Sequence, residues 1–187
     1  IEDFRDDEIV RCAREARDIA AASANPIREL AAARIESRAL ARMRRIDEAL
    51  SLVERYLPLA QAQIADPLGA RAVAELGCTL MTCDRVAQAA GLFELAQQAA
   101  IEQQDWTLCQ ECHEHRAWVH DHRGEIEQSA ARYEAAQGLA LRLGIDRQPA
   151  RIGRAILARR YKELGRYREA LSLLDLTLQE QQDTQEV

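Results

Sequence analysis

Thiolate and imidazole are the ligand types that hold zinc, and this sequence concentrates them in one stretch. Cys109-Gln-Glu-Cys112-His113-Glu-His115 is followed closely by His120-Asp-His122, so all four histidines of the 187-residue chain fall between Cys109 and His122. A metal site here would draw on Cys109, Cys112 and His113. On a helix, however, Cys109, Cys112, His113 and His120 share one face while His115 and His122 point elsewhere. One helix makes a strained tetrahedral site, and no second Cys/His cluster exists to complete it. The expectation is therefore no metal and no cofactor, with two small buried thiols and a core histidine that has a hydrogen-bond partner. A metal- or redox-responsive sensor built on Cys109–His122 is the alternative. The Cys-x-x-Cys-His string also matches a c-type haem attachment, but its place in the middle of a predicted helix argues against that.

A second pattern is cationic. Arg34, Arg38 and Arg42 recur every four residues and stand on one helix face, where guanidinium groups can hold carboxylates or phosphates. The competing account is a solvated face in an arginine-rich chain, in which Lys162 is the only lysine. The formal net charge of −6 argues against non-specific nucleic-acid binding. No phosphate-cradling glycine loop, nucleophile elbow or His-Glu-x-x-His motif is present, so catalysis by this segment is not expected. No apolar run approaches a membrane span, and no signal-peptide pattern opens the chain. Five cysteines lying within helical patterns are expected to be reduced thiols, which points to the cytoplasm. The opening Ile-Glu-Asp-Phe, without methionine, suggests a piece of a longer protein.

The elements that must position these residues are helices, since helix formers dominate and aromatics, glycine and proline are sparse. Ile9, Ala13, Ala16 and Ala20 give the first segment, 6–23, one apolar face. Asn25-Pro26 and Asp66-Pro67 are start signals, an N-cap side chain followed by proline at the first helical position. Asp105 and Asp146 occupy matching places before later helices. Pro58 predicts a kink or early end in the helix that begins near Ile46. About nine helices result, the later ones expected over 68–82, 85–102, 106–123, 125–143, 148–164 and 167–182.

Self-similarity is the stronger signal. Ala49, Ala89, Ser129 and Ala170 are small residues spaced by 40, 40 and 41 positions. In the same phase come Val53, Phe93, Tyr133 and Leu174, then Tyr56, Ala96, Ala136 and Thr177. Ile46, Val86, Ile126 and Tyr167 precede the small residue by three, and Leu40, Leu80, His120 and Tyr161 fill the interior of the first helices. Small residues let paired helices approach while large ones fill the neighbouring holes. No pair buries its apolar face alone, so the units must stack.

Leu76-Gly77, a turn glycine at Gly124 or Gly165, then Tyr167, Ala170 and Leu174 resemble the signature of the tetratricopeptide repeats. Arg44 and Asp84 replace the turn glycine, and Glu36-Ser37 stands where Leu-Gly is typical. The spacing is longer than the usual unit and is similar to repeats of bacterial signalling proteins, such as sensory regions ahead of GGDEF diguanylate cyclase domains, MalT-like regulators and Rap-type peptide receptors. The resemblance implies an all-α, right-handed superhelical solenoid of antiparallel helix pairs, a single domain over 1–187. It would hold a leading helix at 5–24 and units at 26–64, 67–103, 106–143 and 147–184.

By the same resemblance, first helices line a concave groove. The first unit would contribute Ala31, Arg34, Arg38, Ala41 and Arg42, and the second Arg71, Ala74, Cys78, Met81 and Thr82. Glu111, Glu114, Trp118, Asp121 and His122 would come from the third, and Ile152, Ala155, Arg159, Lys162 and Glu163 from the fourth. The implied function is binding of a protein or peptide, acidic where it meets Arg34, Arg38, Arg42 and Arg71, and anchored on Trp118. A role as a regulatory or sensory module, with a GGDEF output domain, follows only by analogy. Self-association through the end helices is the structural alternative. Nucleic acid and membrane are not expected partners.

Overall fold

The computed structural model describes residues 2–144 and 148–185, with side chains described over 6–144 and 152–178. The described residues form nine α-helices and no strand: α1 (Glu2–Ala22), α2 (Pro26–Arg42), α3 (Ile46–Ala62), α4 (Pro67–Thr82), α5 (Val86–Glu102), α6 (Trp106–His122), α7 (Ile126–Leu143), α8 (Gln148–Glu163) and α9 (Tyr167–Gln185). Among them, no helix is long and apolar enough to cross a membrane. The start signals act as their chemistry requires. Asn25 Oδ1 accepts from Arg28 N at 3.1 Å and Asp66 Oδ1 from Leu68 N at 2.8 Å, each with proline opening the helix. Asp146 lies outside the described residues. Pro58 does not end its helix, because α3 continues to Ala62.

Two compact units divide at Asp105 and Trp106. In the first, α1 packs on α2, α2 on α3, and α4 on both α2 and α3 before pairing with α5. In the second, α6 pairs with α7, α7 packs on α8, and α8 pairs with α9.

The small-residue ladder is buried throughout, at Ala49, Ala89, Ser129 and Ala170. A second ladder faces it from the first helices: Ser37, Gly77, Ala117 and Ala158, also buried. Gly77 shows why size matters there, since a Cβ at that position would stand 2.7 Å from Cε1 of the fully buried Phe93. Val53, Phe93 and Tyr133 are buried in phase, with Tyr56, Ala96 and Ala136 beside them.

The phase fails at particular residues. Leu174 is 43% exposed and Tyr167 63%, and no helix follows α9 among the described residues to cover them. Tyr161 and Ala170 alone of that set hold the last hairpin, in a core with Ala117, Tyr133 and Leu157. Ala16 is exposed, and Val10 takes its place in the core of the first unit, packed with Leu40 and Ala49. His120 is only partly buried, and its Nδ1 lies 2.6 Å from Glu125 Oε2.

Glu36 is the least expected core residue. It is 1% exposed and accepts from two arginines of α1, Arg14 Nε at 2.9 Å and Arg17 Nη1 at 2.6 Å. Two guanidinium groups supply the charge and hydrogen bonds that a buried carboxylate needs, and in return fix α1 on α2.

The hairpin turns repeat one backbone motif. Arg44, Asp84, Gly124 and Gly165 all have left-handed φ, between +61° and +75°. The next residue donates back across the turn, as in Arg45 N to Leu40 O at 2.9 Å and Arg85 N to Leu80 O at 2.8 Å. A side chain at such φ is strained where glycine is not. Arg44→Gly and Asp84→Gly are therefore expected each to raise unfolding free energy by about 0.5–1 kcal/mol, read as higher urea midpoints. Glu36→Ala leaves Arg14 and Arg17 without their shared partner and is expected to cost roughly 3 kcal/mol. Protease cleavage of α1 should accelerate in that variant.

Candidate partner-binding face

The candidate residues lie on the first helix of each pair, α2 and α4 in one unit, α6 and α8 in the other. In α2, four-residue spacing keeps the arginines on one face, but their neighbours differ. Arg34 forms an ion pair with Glu75 of α4, and both side chains are largely covered. Arg42 reaches Asp6 of α1, with Nε to Oδ2 at 3.2 Å and a second, shorter contact through Nη2. That bond holds the Asp6 carboxyl below its ordinary pKa. Arg38, between them, is exposed and has no polar partner among the described residues.

In α4, Arg71 Nη2 sits 3.8 Å from Asp105 Oδ2. Cys78 is buried, and the Thr82 hydroxyl donates to its carbonyl at 3.0 Å, so neither presents a free polar group. The stripe that looked cationic in sequence is thus largely neutralised by carboxylates from neighbouring helices. Of Arg34, Arg38 and Arg42, Arg38 is the one with an open guanidinium among the described residues.

In the second unit, Glu111 and Glu114 are half-buried, and Glu114 Oε1 accepts from Gln110 Nε2 at 2.7 Å. Trp118 is also half-buried, its ring centroid 5.7 Å from that of the exposed His122 in a tilted arrangement. Its neighbour Ala117 joins Tyr133, Leu157 and Tyr161 in an apolar core of this unit. Asp121 is not open, because Arg160 Nε reaches it at 2.8 Å while Arg160 Nη1 binds Glu163 at 2.6 Å. Arg159 and Lys162 are exposed and edge a hollow shared with α9. Asp6, Glu75 and Arg160 are residues that sequence reasoning did not single out, and it read Asp105 only as a helix-start signal. Glu75 follows Arg34 by 41 residues, one more than the repeat interval, which is the trace it leaves in the sequence.

The cysteine and histidine stretch disperses around α6. Cys109 and Cys112 are buried, His113 half-buried, His120 turned to Glu125 and His122 to Trp118. Among the described residues, no three His, Cys, Asp or Glu side chains converge to hold a metal. All five cysteines are free thiols. Burial, followed by the charges of Arg132 and Arg116, lowers the pKa of His113 from 6.5 to about 4. Between those values the unfolded chain binds a proton that the folded chain refuses. Folding stability should consequently fall as pH is lowered from 6.5 toward 4 and be indifferent to this group above that window. His113→Gln is expected to flatten that part of the urea-midpoint profile, and the imidazole resonances of His113 should not titrate above pH 5.

No protein-family model matches the chain, and no curated protein matches it in sequence. Solved structures do match in fold. BtubC from P. vanneervenii superposes with a TM-score of 0.77 at 19% identity, over 95% of this chain and 72% of that one. The nearly identical TPR-like repeats of a protein described as a Podosopora anserina kinesin light chain give 0.70 at 18% identity, covering 100% and 91%. MamA from Desulfovibrio magneticus RS-1 gives 0.61 at 13% identity, covering 94% and 96%. Repeated antiparallel helix pairs locked at small residues, together with these superpositions, make the fold of this chain that of the TPR-like repeat proteins.

Proposed function

We propose that the chain is a protein-interaction scaffold that holds a peptide or protein segment on its first helices. The observation that carries this reading is Trp118, a tryptophan left partly exposed on α6, with an exposed histidine as ring neighbour. Indole presents a large apolar surface with one hydrogen-bond donor, the combination that dominates protein interfaces. In the other unit Arg38 offers a charge-assisted contact to an acidic residue, flanked by arginines already satisfied within the chain. The remaining candidate residues, Arg34, Arg42, Arg71, Cys78 and Thr82 in the first unit and Glu111, Glu114, His122, Arg159 and Lys162 in the second, shape the surface of their own unit or set its local charge. The TPR-like fold supports a binding rather than a catalytic role.

We further propose, from the long repeat interval, that the scaffold serves as a sensory or regulatory module of a bacterial signalling protein, with a GGDEF diguanylate cyclase as the kind of output it would control. The free state of all five cysteines supports a cytoplasmic setting. Selection from a displayed random-peptide library on the immobilised chain should enrich sequences rich in bulky apolar residues and sequences rich in acidic residues. Trp118→Ala should then weaken the apolar peptides at least tenfold and Arg38→Glu the acidic ones about tenfold, with unchanged unfolding midpoints. Equal binding by both variants would overturn the assignment of this face.

A further inference from the structure

We propose that the first unit holds a second binding site, a cleft between the second helices α3 and α5 that takes a free α-amino acid with an aromatic or large aliphatic side chain. The cleft has a volume of about 220 Å³ and is walled by α3 and α5 over Leu80 of α4. Val53, Leu80 and Leu92 are buried at its base, while Glu54, Arg85 and Gln88 stand exposed at its rim. Among the described residues, the three rim side chains form no ion pair and no hydrogen bond, with each other or with any neighbour. None of the partner-binding candidates lines this cleft.

The second unit shows what this cleft lacks. In repeat phase Val53 and Leu80 correspond to Tyr133 and Tyr161, and Glu54 and Arg85 to Glu134 and Arg166. Tyr133 and Tyr161 are buried together in one core. Arg166 Nη1 donates to Glu134 Oε1 at 2.8 Å, and the guanidinium carbon lies 4.0 Å from the centre of the Tyr161 ring. Acid and base from successive second helices are thus joined where two phenol rings fill the interior. The first unit has the same acid and the same base at the same positions, unjoined, above aliphatic side chains and no ring. Space and charge that the second unit satisfies from within are left to a ligand in the first.

Three groups complete the cleft: an apolar body in place of the rings, an anion for Arg85 and Gln88, and a cation for Glu54. Guanidinium and carboxamide N–H groups donate to a carboxylate, and the Glu54 carboxylate accepts from an ammonium group. A free α-amino acid carries carboxylate, ammonium and side chain on a single carbon. A residue inside a peptide has lost both charges, and a terminal residue has lost one. Size agrees, since about 220 Å³ lies below the roughly 300–1,000 Å³ of clefts that take drug-sized ligands. Covering the aliphatic base supplies attraction, and the two ionic contacts at the rim supply selectivity.

Isothermal titration calorimetry of the full chain with L-phenylalanine tests the site. Hydrocinnamate, which lacks the ammonium group, and phenethylamine, which lacks the carboxylate, are the analogues. Saturable binding of L-phenylalanine at a single site is expected, with each analogue roughly tenfold weaker. Arg85→Gln should weaken L-phenylalanine roughly tenfold and remove its advantage over phenethylamine, and Glu54→Gln should remove its advantage over hydrocinnamate. Both changes fall on exposed side chains and should leave the helical circular dichroism unaltered. Trp118→Ala and Arg38→Glu should leave the affinity as it is, which separates this site from the partner-binding face. No saturable binding at millimolar L-phenylalanine would overturn the proposal. Equal affinity for the three compounds, or affinity indifferent to both Arg85→Gln and Glu54→Gln, would leave only an apolar crevice and overturn it as well.

Discussion

Everything in this structure depends on how closely two helices can approach at a pair of small residues. Ser37, Gly77, Ala117 and Ala158 on the first helices and Ala49, Ala89, Ser129 and Ala170 on the second are all buried, and small side chains at such positions let a hairpin close while large residues nearby fill what remains. Gly77 against Phe93 is a direct instance, because a Cβ there would stand 2.7 Å from the ring. Overpacking at such a contact costs about 1–3 kcal/mol, a large share of the stability of any domain, so composition at these positions is narrow. Elsewhere on the helices it is free, and that freedom is where binding surfaces arise.

Glu36 shows how the same scaffold absorbs an exception. Its counterpart one interval later is Leu76, buried in the ordinary apolar way. A carboxylate in that place has to be paired, and α1 supplies Arg14 and Arg17. The leading helix has little apolar surface of its own beyond Val10, Ala13 and Ala20, so an ionic clamp takes over part of the work that packing does in the later pairs.

Most of the fold was legible in the residues. The interval between Ala49, Ala89, Ser129 and Ala170 marked the pairs, and Asn25-Pro26 and Asp66-Pro67 marked helix starts that the structure places within a residue. Repeat phase names the position a residue occupies, but not whether a neighbour is there to cover it. That is why Leu174 and Tyr167 read as core and stand exposed. The candidate face was less legible for a related reason. Arginine spacing showed that Arg34, Arg38 and Arg42 share a face, whereas their pairing depends on Glu75, near one repeat interval on, and on Asp6 of the leading helix, at a separation no periodicity announces.

This pairing changes what the arginine stripe can contribute to recognition. A ligand carboxylate approaching Arg34 or Arg42 must displace a carboxylate already bound, exchanging one ion pair for another of similar geometry. Partly exposed pairs are worth only about 0–1 kcal/mol, so the net gain from such an exchange is close to nothing. Arg38 has no internal bond to surrender among the described residues, and covering the open part of Trp118 removes apolar surface from water at about 25 cal/mol per Å². Affinity therefore concentrates at Arg38 within the first unit and at Trp118 within the second, while Arg34, Arg42 and Arg71, held in place by their own carboxylates, act as a rigid and nearly neutral frame around Arg38.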